Sequence, residues 1–447
     1  MKISKKWLSE YIAPLKSNDA LEHNLTQLGL EVDTITKNKD DYIIDIEFTP
    51  NRGDCLSIYG TARDLAAYKK KDIKKPTCSK FTFTKTNERI KNINPSISPE
   101  YRYMELQNIN VKTKTPKFIT ERLKQCDIAS INIIVDISNY VMLEIGQPTH
   151  AFDLDKINGK LSIAKLERKN KFTGIDNKEY IVEKGTEVIV DERNIIHALP
   201  GVIGSKVSCV NTTTKNILFE SAFFLPDVVR ALSRKFRIQT ESSYRFERGV
   251  DYNLVEFTLS RIHYLLSNAT DIDKCKITKI SYKHALTKLK SFDFDTKIYK
   301  RILGIDIDVK EIKSILSNLG ITFKAKKVII PSYRFDISNN YDLAEEVSRI
   351  YGFDNIPQLP LNTYNGEYHS KLNINEKLVM LGYKEVINFT FISKNYSYDK
   401  KELKLENPIS KEKSVMRESL IPGLISNIAY NANRQHKSIR LFERGKT

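Results

Sequence analysis

Apolar positions first fall into helical register at the N-terminus. Ile3, Trp7, Leu8, Tyr11 and Ile12 share one face and Ser4 is placed to cap it, which predicts a short amphipathic helix. A second helix is expected behind Ser17, with Leu21, Leu25 and Leu28 in register and Gly29 as its stop. The pattern then changes to period two. LEVDTI reads as a strand, and DDYIIDIEFT (40–49) as another that alternates at Tyr42, Ile44, Ile46 and Phe48. The turn PNRGD leads to a helix with Asp54 as the expected cap and Ile58, Ala62 and Leu65 periodic. KKKDIKKPTCSK (69–80) reads as a solvated, basic linker.

Further on, IIVDISNYVMLEIGQPTHAFD, KGTEVIVDE and NILFESAFF carry strong β signals, and PDVVRALSRKF is a helix with Pro226 in its first turn. A smaller unit is expected from about residue 286. Its clearest helix is DVKEIKSILSNLG, where Asp308 caps, Glu311 completes a capping box, and Gly320 follows the last periodic residue. ITFKAKKVIIP reads as two strands, and another helix is expected from Asp342. From about 360, the strand-like KEVINFTFI and SIRLFERG flank a helix in SLIPGLISNIAYNANR. With no internal repeat, the chain reads as α+β multidomain.

Length agrees with this: 447 residues exceed the roughly 250–300 at which a single core stops growing. No apolar run approaches the ~18 residues of a membrane span, so no membrane association is expected. The polar start MKISKKWLSEYI does not suit a secretory signal. The five cysteines are scattered and include no CxxC pair, which argues against a zinc site or a disulfide framework and for a reducing cytoplasm. The net charge of +17 suits a polyanionic partner, and equally a Lys-rich composition.

Two groups of residues carry chemistry. Asp342, Glu345 and Glu346 stand at i, i+3 and i+4, on one face at a helix N-terminus, with Asp336 in the loop before. Such acids suit a hard divalent cation; a D-x-x-E capping box on the helix dipole explains the pattern as well. Glu220 stands inside the apolar ILFESAFF, where a carboxylate is costly without a partner or a task. Arg245 or Arg248 could pair with it. His150, in QPTHAFD, could be a structural or a functional histidine.

PSYRFDISNNYDLAEEVSRIYGF (331–353) resembles the magnesium-binding segment of bacterial-type phenylalanyl-tRNA synthetase β subunits. TPNRGDCLSIYGTARDLAAY (49–68), NIIVDISNYVMLEIGQPTHAFD (132–153), NILFESAFF (216–224), TESSYRFERGVD (240–251), NPISKEKSVMRESLIPGLISNIAYNANR (407–434) and LFERG are similar to further passages of that family, in order. The resemblance implies an N-terminal α+β domain (1–75), a basic linker (76–95), a mixed α/β editing-like domain (96–285), a winged-helix-like domain (286–358) and a partial class II synthetase-like core (359–447). It implies a Mg²⁺ held by Asp336, Asp342, Glu345 and Glu346. It also implies an α subunit as partner in an α₂β₂ heterotetramer, tRNA(Phe), and ATP as substrate of the complex. The aminoacylation chemistry is then expected in α, in keeping with the absence here of a GxxxxGKS/T loop.

The same resemblance assigns an editing pocket for tyrosyl-tRNA to His150, Glu220 and Thr240. Such a pocket is needed because an apolar phenylalanine site rejects an added hydroxyl by only about 10²-fold. The chain departs from the family's glycine loop: Pro200 and Ser205 replace an alanine and a glycine, and Ser242 brings a hydroxyl. Losing the glycine is expected to hinder close backbone approach to a ligand, Pro200 to remove an N–H, and Ser242 to narrow the pocket. The family's OB-type insert after LGLEVD is absent, and the anticodon-binding C-terminal region is expected to be lacking. A degenerate scaffold subunit and a standalone editing hydrolase are the alternatives.

Overall fold

The computed structural model describes residues 1–12, 15, 17–80, 88–270, 272, 274–281, 289–358, 373–398 and 402–447. The expected junctions at 285/286 and 359, and residues 81–87 of the linker, lie outside the described residues. The chain divides into two compact units, Met1–Gln358 and Leu359–Thr447.

The N-terminal elements follow the apolar pattern. Strand β1 (Lys2–Ser4) leads into α1 (Lys5–Tyr11), where Ser4 Oγ accepts from the Trp7 N–H at 3.0 Å. Ser17 caps α2 (Asn18–Gln27) in the same way. Strands β2 (Glu31–Asn38) and β3 (Asp41–Glu47) form a hairpin closed by Lys39 and Asp40, and the antiparallel sheet runs β1-β3-β2. Helix α3 (Ile58–Tyr68) is capped by Ser57, whose Oγ accepts from the Gly60 N–H. Asp54 is not the cap; it lies in a preceding short 3₁₀ turn, ion-paired to Arg52 and Arg63.

Two sheets face each other in the next region. The first contains β5 (Glu100–Gln107), β6 (Thr149–Asp153), β13 (Ile217–Phe223) and β14 (Lys274–Ser281) in the order β14-β5-β13-β6, all antiparallel. The second contains β4 (Ile90–Ile93), β7 (Leu161–Lys165), β10 (Glu187–Val190), β11 (Ile196–Leu199) and β12 (Ile203–Gly204) in the order β12-β11-β10-β7-β4. A separate hairpin pairs β8 (Asn170–Thr173) with β9 (Glu179–Val182). Helices α4 (Lys117–Gln125), α5 (Ile133–Ile145) and α8 (Leu254–Ser267) lie on one side of the first sheet's core; α6 (Pro226–Phe236) and α7 (Glu241–Phe246) join the core between the sheets.

The strand expected in IIVDISNYVMLEI is instead α5. Its β-branched composition is overridden at both ends. Asn132 Oδ1 accepts from the Ile134 and Val135 N–H groups, and Gly146 takes a left-handed φ of +84° to stop the helix. Almost every side chain of α5 is buried, so no polar face remains to show a 3.6 period.

The region before residue 358 closes with a sheet of β15 (Ser291–Asp293), β16 (Thr322–Lys324) and β17 (Lys327–Ile329) in the order β15-β17-β16. It packs with α9 (Lys297–Leu303), α10 (Val309–Asn318) and α11 (Asn340–Tyr351). Asp308 caps α10 through the Lys310 N–H. The second unit holds α12 (Ile374–Met380), α13 (Ile421–Ala432) and two-residue strand pairs. The strands expected there are far shorter than their sequence runs.

Candidate functional site

Glu220 sits mid-strand in β13, directly opposite His150 of β6 on one side and Tyr103 of β5 on the other. Side chains alternate across a strand, so Leu218, Glu220 and Ala222 face the second sheet while Ile217 and Phe219 face the helices. A cavity of about 320 Å³ opens there. Glu220 and His150 line it with Thr240, Leu199, Phe224 and Phe246, so a mostly apolar chamber carries two titratable groups.

Glu220 is 5% exposed, and its Oε2 meets no hydrogen-bond partner; nor do His150 Nε2 and the Tyr101 hydroxyl. Burial pushes the Glu220 carboxyl up to about 7, and the nearby Tyr101 hydroxyl offsets this only in part. Burial, helped by His197, lowers the His150 imidazole to about 4, so it is neutral at physiological pH. The expected arginine partners are committed elsewhere: Arg245 to Glu241 and the Leu56 carbonyl, Arg248 to Glu247 and the Tyr244 carbonyl. Unsatisfied buried polar atoms are rare in folded proteins. Here two such atoms, on Glu220 and His150, belong to residues that line one chamber.

Thr240 lines the chamber, but its hydroxyl is used. It accepts from the Ser243 N–H and donates to the Val202 carbonyl, capping α7. Thr240 therefore shapes the wall. The glycine loop is also clarified. A Cβ on Gly204 would stand 2.2 Å from His150 Cε1, and one on Gly201 would strike Val229 and Phe246. Both glycines let rings approach the backbone. Ser205 does not obstruct the chamber: its hydroxyl donates to the Thr173 carbonyl and accepts from the Val207 N–H, away from the cavity lining. Ser242 does line it. Tyr101 is the residue that sequence reasoning missed; its one signal is the alternation in EYRYMELQ.

The four acids of 336–346 do not form one ligand set. Arg334 holds both Asp336 oxygens, at 2.9 and 2.8 Å. Glu346 is 3% exposed and lies between Arg334 and Arg349. Burial pushes its carboxyl up, but Arg349 and Arg334 outweigh that and hold it well below the usual carboxylate range. Asp342 accepts from the Ser338 and Asn339 N–H groups, and the capping box joins Asn339 to Asp342 rather than Asp342 to Glu345. Glu345 is exposed and unpaired among the described residues. The network continues into the N-terminal region, where Arg349 binds Asp64 at 2.7 and 3.1 Å and Arg52 reaches Asp54 and Asp64. Among the described residues only Asp54, Cys55 and Asp64 bring three ligand atoms within 4.8 Å, and these arginines already neutralise the two carboxylates.

Three domain families match the chain: a B3/4 domain over residues 97–271, a tRNA synthetase B5 domain over 292–353, and a phenylalanyl-tRNA synthetase beta chain CLM domain over 355–447. Two of the three are described as tRNA synthetase domains. The phenylalanine–tRNA ligase β subunit of Acinetobacter baylyi is 34% identical over 420 residues, covering 91% of this chain and 53% of the relative. That of Photorhabdus laumondii subsp. laumondii is 36% identical over 423 residues, with the same coverage of 91% and 53%. Over 91% of its length the chain is similar to phenylalanine–tRNA ligase β subunits. It spans about half the length of the curated relatives it matches. A solved N-terminal fragment of the phenylalanyl-tRNA synthetase β subunit from Pyrococcus horikoshii aligns with 78% of this chain and 99% of its own, at 17% identity and a TM-score of 0.45. That likeness is too distant to bear on the site.

Proposed function

We propose that the chain serves as a β subunit in ATP-dependent attachment of phenylalanine to tRNA(Phe), and that its 97–271 domain hydrolyses tyrosyl-tRNA. The observation that carries the editing reading is the pair of unsatisfied groups, Glu220 and His150, opposed on neighbouring strands in an apolar chamber. A carboxylate at Glu220 accepts the phenolic O–H of tyrosine, a bond that phenylalanine cannot make. A site built to hydrogen-bond a hydroxyl rejects the analogue without it far more strongly than an apolar pocket rejects an added one. Neutral His150 has one ring nitrogen free to accept a proton and so orients a water. Water oxygen adds to the ester carbonyl carbon, the bond from that carbon to the ribose oxygen breaks, and the proton ends on the ribose hydroxyl. The products are tyrosine and uncharged tRNA.

The remaining chemistry falls to partners. Activation with ATP belongs to an α subunit, and the two assemble as α₂β₂. Support for a partner chain comes from the second unit, where Ile374, Met380, Ile387, Phe389, Ile421 and Ile425 are all more than half exposed; patches of this kind mark interaction surfaces. The 292–353 domain takes the winged-helix-like role. For Mg²⁺, the residues that fit are Asp342 and Glu345, whose carboxylates are not held by arginine; Asp336 and Glu346 stand behind them as arginine ligands. Two carboxylates with water suffice for this ion, which would supply positive charge at the contact with α.

Deacylation of tyrosyl-tRNA tests the editing reading. The chain is expected to hydrolyse tyrosyl-tRNA faster than phenylalanyl-tRNA, and His150→Ala to lose most of that rate. Hydrolysis no faster than that of His150→Ala would leave the scaffold reading.

A further inference from the structure

A cavity of about 740 Å³ lies where the N-terminal sheet meets the end of α4, α5 and α7. Glu241 and Arg245 face it from α7, whereas Ser242 and Phe246 line the Glu220 chamber. The linings of the two openings share Thr240 alone. Phe48, Leu56 and Leu143 are buried and give the cavity an apolar wall.

Most charges around it are matched. Lys2 pairs with Asp127 at 2.6 Å, Asp45 with the Met1 amino group at 3.1 Å, and Glu241 with Arg245 Nη1 at 2.6 Å. Three groups are left over. Asp33 and Glu47 are exposed and have no ion-pair partner among the described residues. Arg245 is 2% exposed. Its Nε donates to the Leu56 carbonyl and its Nη1 to Glu241, but Nη2 finds only the Met1 sulfur, at 3.7 Å. A thioether is a weak acceptor. A buried guanidinium nitrogen normally has a better one.

Met1 shows how far apart these groups stand. Its sulfur touches Arg245 Nη2, while its amino group bonds Asp45 and the Ile46 carbonyl. One residue therefore spans the gap from the buried cation to the acidic strand β3. Glu47 follows Asp45 there on the same face.

We propose that this cavity binds a free α-amino acid with a large apolar side chain. The carboxylate takes the open Arg245 Nη2, the ammonium lies between Asp33 and Glu47, and the side chain lies on Phe48, Leu56 and Leu143. A guanidinium–carboxylate bond is stronger than a neutral one, and this one forms at a buried nitrogen. The two acids stand at the solvent edge and contribute less. Such a ligand carries no net charge, so the matched pairs stay in place. The site does not depend on the editing reading, because neither Glu220 nor His150 lines it.

The test is isothermal titration of the full chain, without α, with L-phenylalanine. Binding is expected. Phenethylamine lacks the carboxylate and 3-phenylpropionate lacks the ammonium; each should bind at least about tenfold more weakly, the effect of one lost charge-assisted hydrogen bond. Asp33→Asn with Glu47→Gln is expected to weaken L-phenylalanine by roughly tenfold. It should leave the urea denaturation midpoint unchanged, because both side chains are exposed. No binding of L-phenylalanine, equal binding of phenethylamine, or equal binding by the double variant overturns the proposal. Deacylation is read separately. A chain that binds L-phenylalanine in this way yet never hydrolyses tyrosyl-tRNA keeps the cavity site and loses the editing reading; the converse result loses the cavity site alone.

Discussion

A carboxylate at Glu220 costs the fold more as pH rises. Its neutral form is favoured in the folded state, where the value lies at about 7 against an ordinary 4.5. The penalty is absent below the ordinary value, grows as pH rises through the interval, and is complete above about 7. A difference of this size corresponds to about 3 kcal/mol at pH 8. Glu220→Gln is therefore expected to raise the denaturation midpoint at pH 8 and leave it nearly unchanged at pH 4.5; an equal change at both would contradict the burial seen here. This residue was legible in the sequence because a charge inside ILFESAFF has no cheap explanation. Tyr101 was not, because an aromatic at an alternating strand position is ordinary core. Thr240 was legible as wall, but the commitment of its hydroxyl to the α7 cap depends on Val202, far away in sequence.

At the scale of elements, caps decided what periodicity could not. The helices behind Ser4, Ser17 and Asp308 follow their sequence signals. Helix α5 reads as strand because it is apolar on every side, and only Asn132 and Gly146 mark its ends. The acidic stretch at 336–346 changed most. Read as a line of residues, it suits a cation site or a helix cap equally; folded, half of it belongs to a buried arginine network tying α11 to α3. Arg349 touches both Glu346 and Asp64 there. Removing one member leaves buried charge without compensation, which costs about 3–5 kcal/mol. Arg349→Met is expected to destabilise the Met1–Gln358 unit by that amount in urea denaturation. A shift under about 1 kcal/mol, the range of exposed pairs, would show that the network is solvated.

At the scale of the whole molecule, the domain families and relatives account for nearly the full chain, whereas the chain accounts for about half of each relative. Among the described residues no helix is long and apolar enough to cross a membrane. Strand β2 continues from Asp33 to Asn38, past the place after LGLEVD where no OB-type insert is expected, and its hairpin with β3 closes over Lys39 and Asp40. In the proposed function the cation acts at assembly with the α subunit. Asp342→Ala with Glu345→Ala should weaken the β–α complex at low Mg²⁺ and recover as Mg²⁺ is raised, read by gel filtration of the mixed subunits. Because Asp342 also caps α11, Glu345→Ala alone separates the ion from the cap. A Glu345→Ala complex with unaltered Mg²⁺ dependence would return the acids to a purely structural role.

The proposal that Glu220 reads a hydroxyl in the chamber is tested most directly by the pH dependence of tyrosyl-tRNA deacylation. If ionised Glu220 accepts the phenol, kcat/KM rises with pH to a plateau, with a midpoint near the value of about 7 set by its burial. In Glu220→Gln that rise should vanish, together with the preference over phenylalanyl-tRNA. A profile that is the same in both proteins, or a preference that survives the substitution, would contradict the assignment.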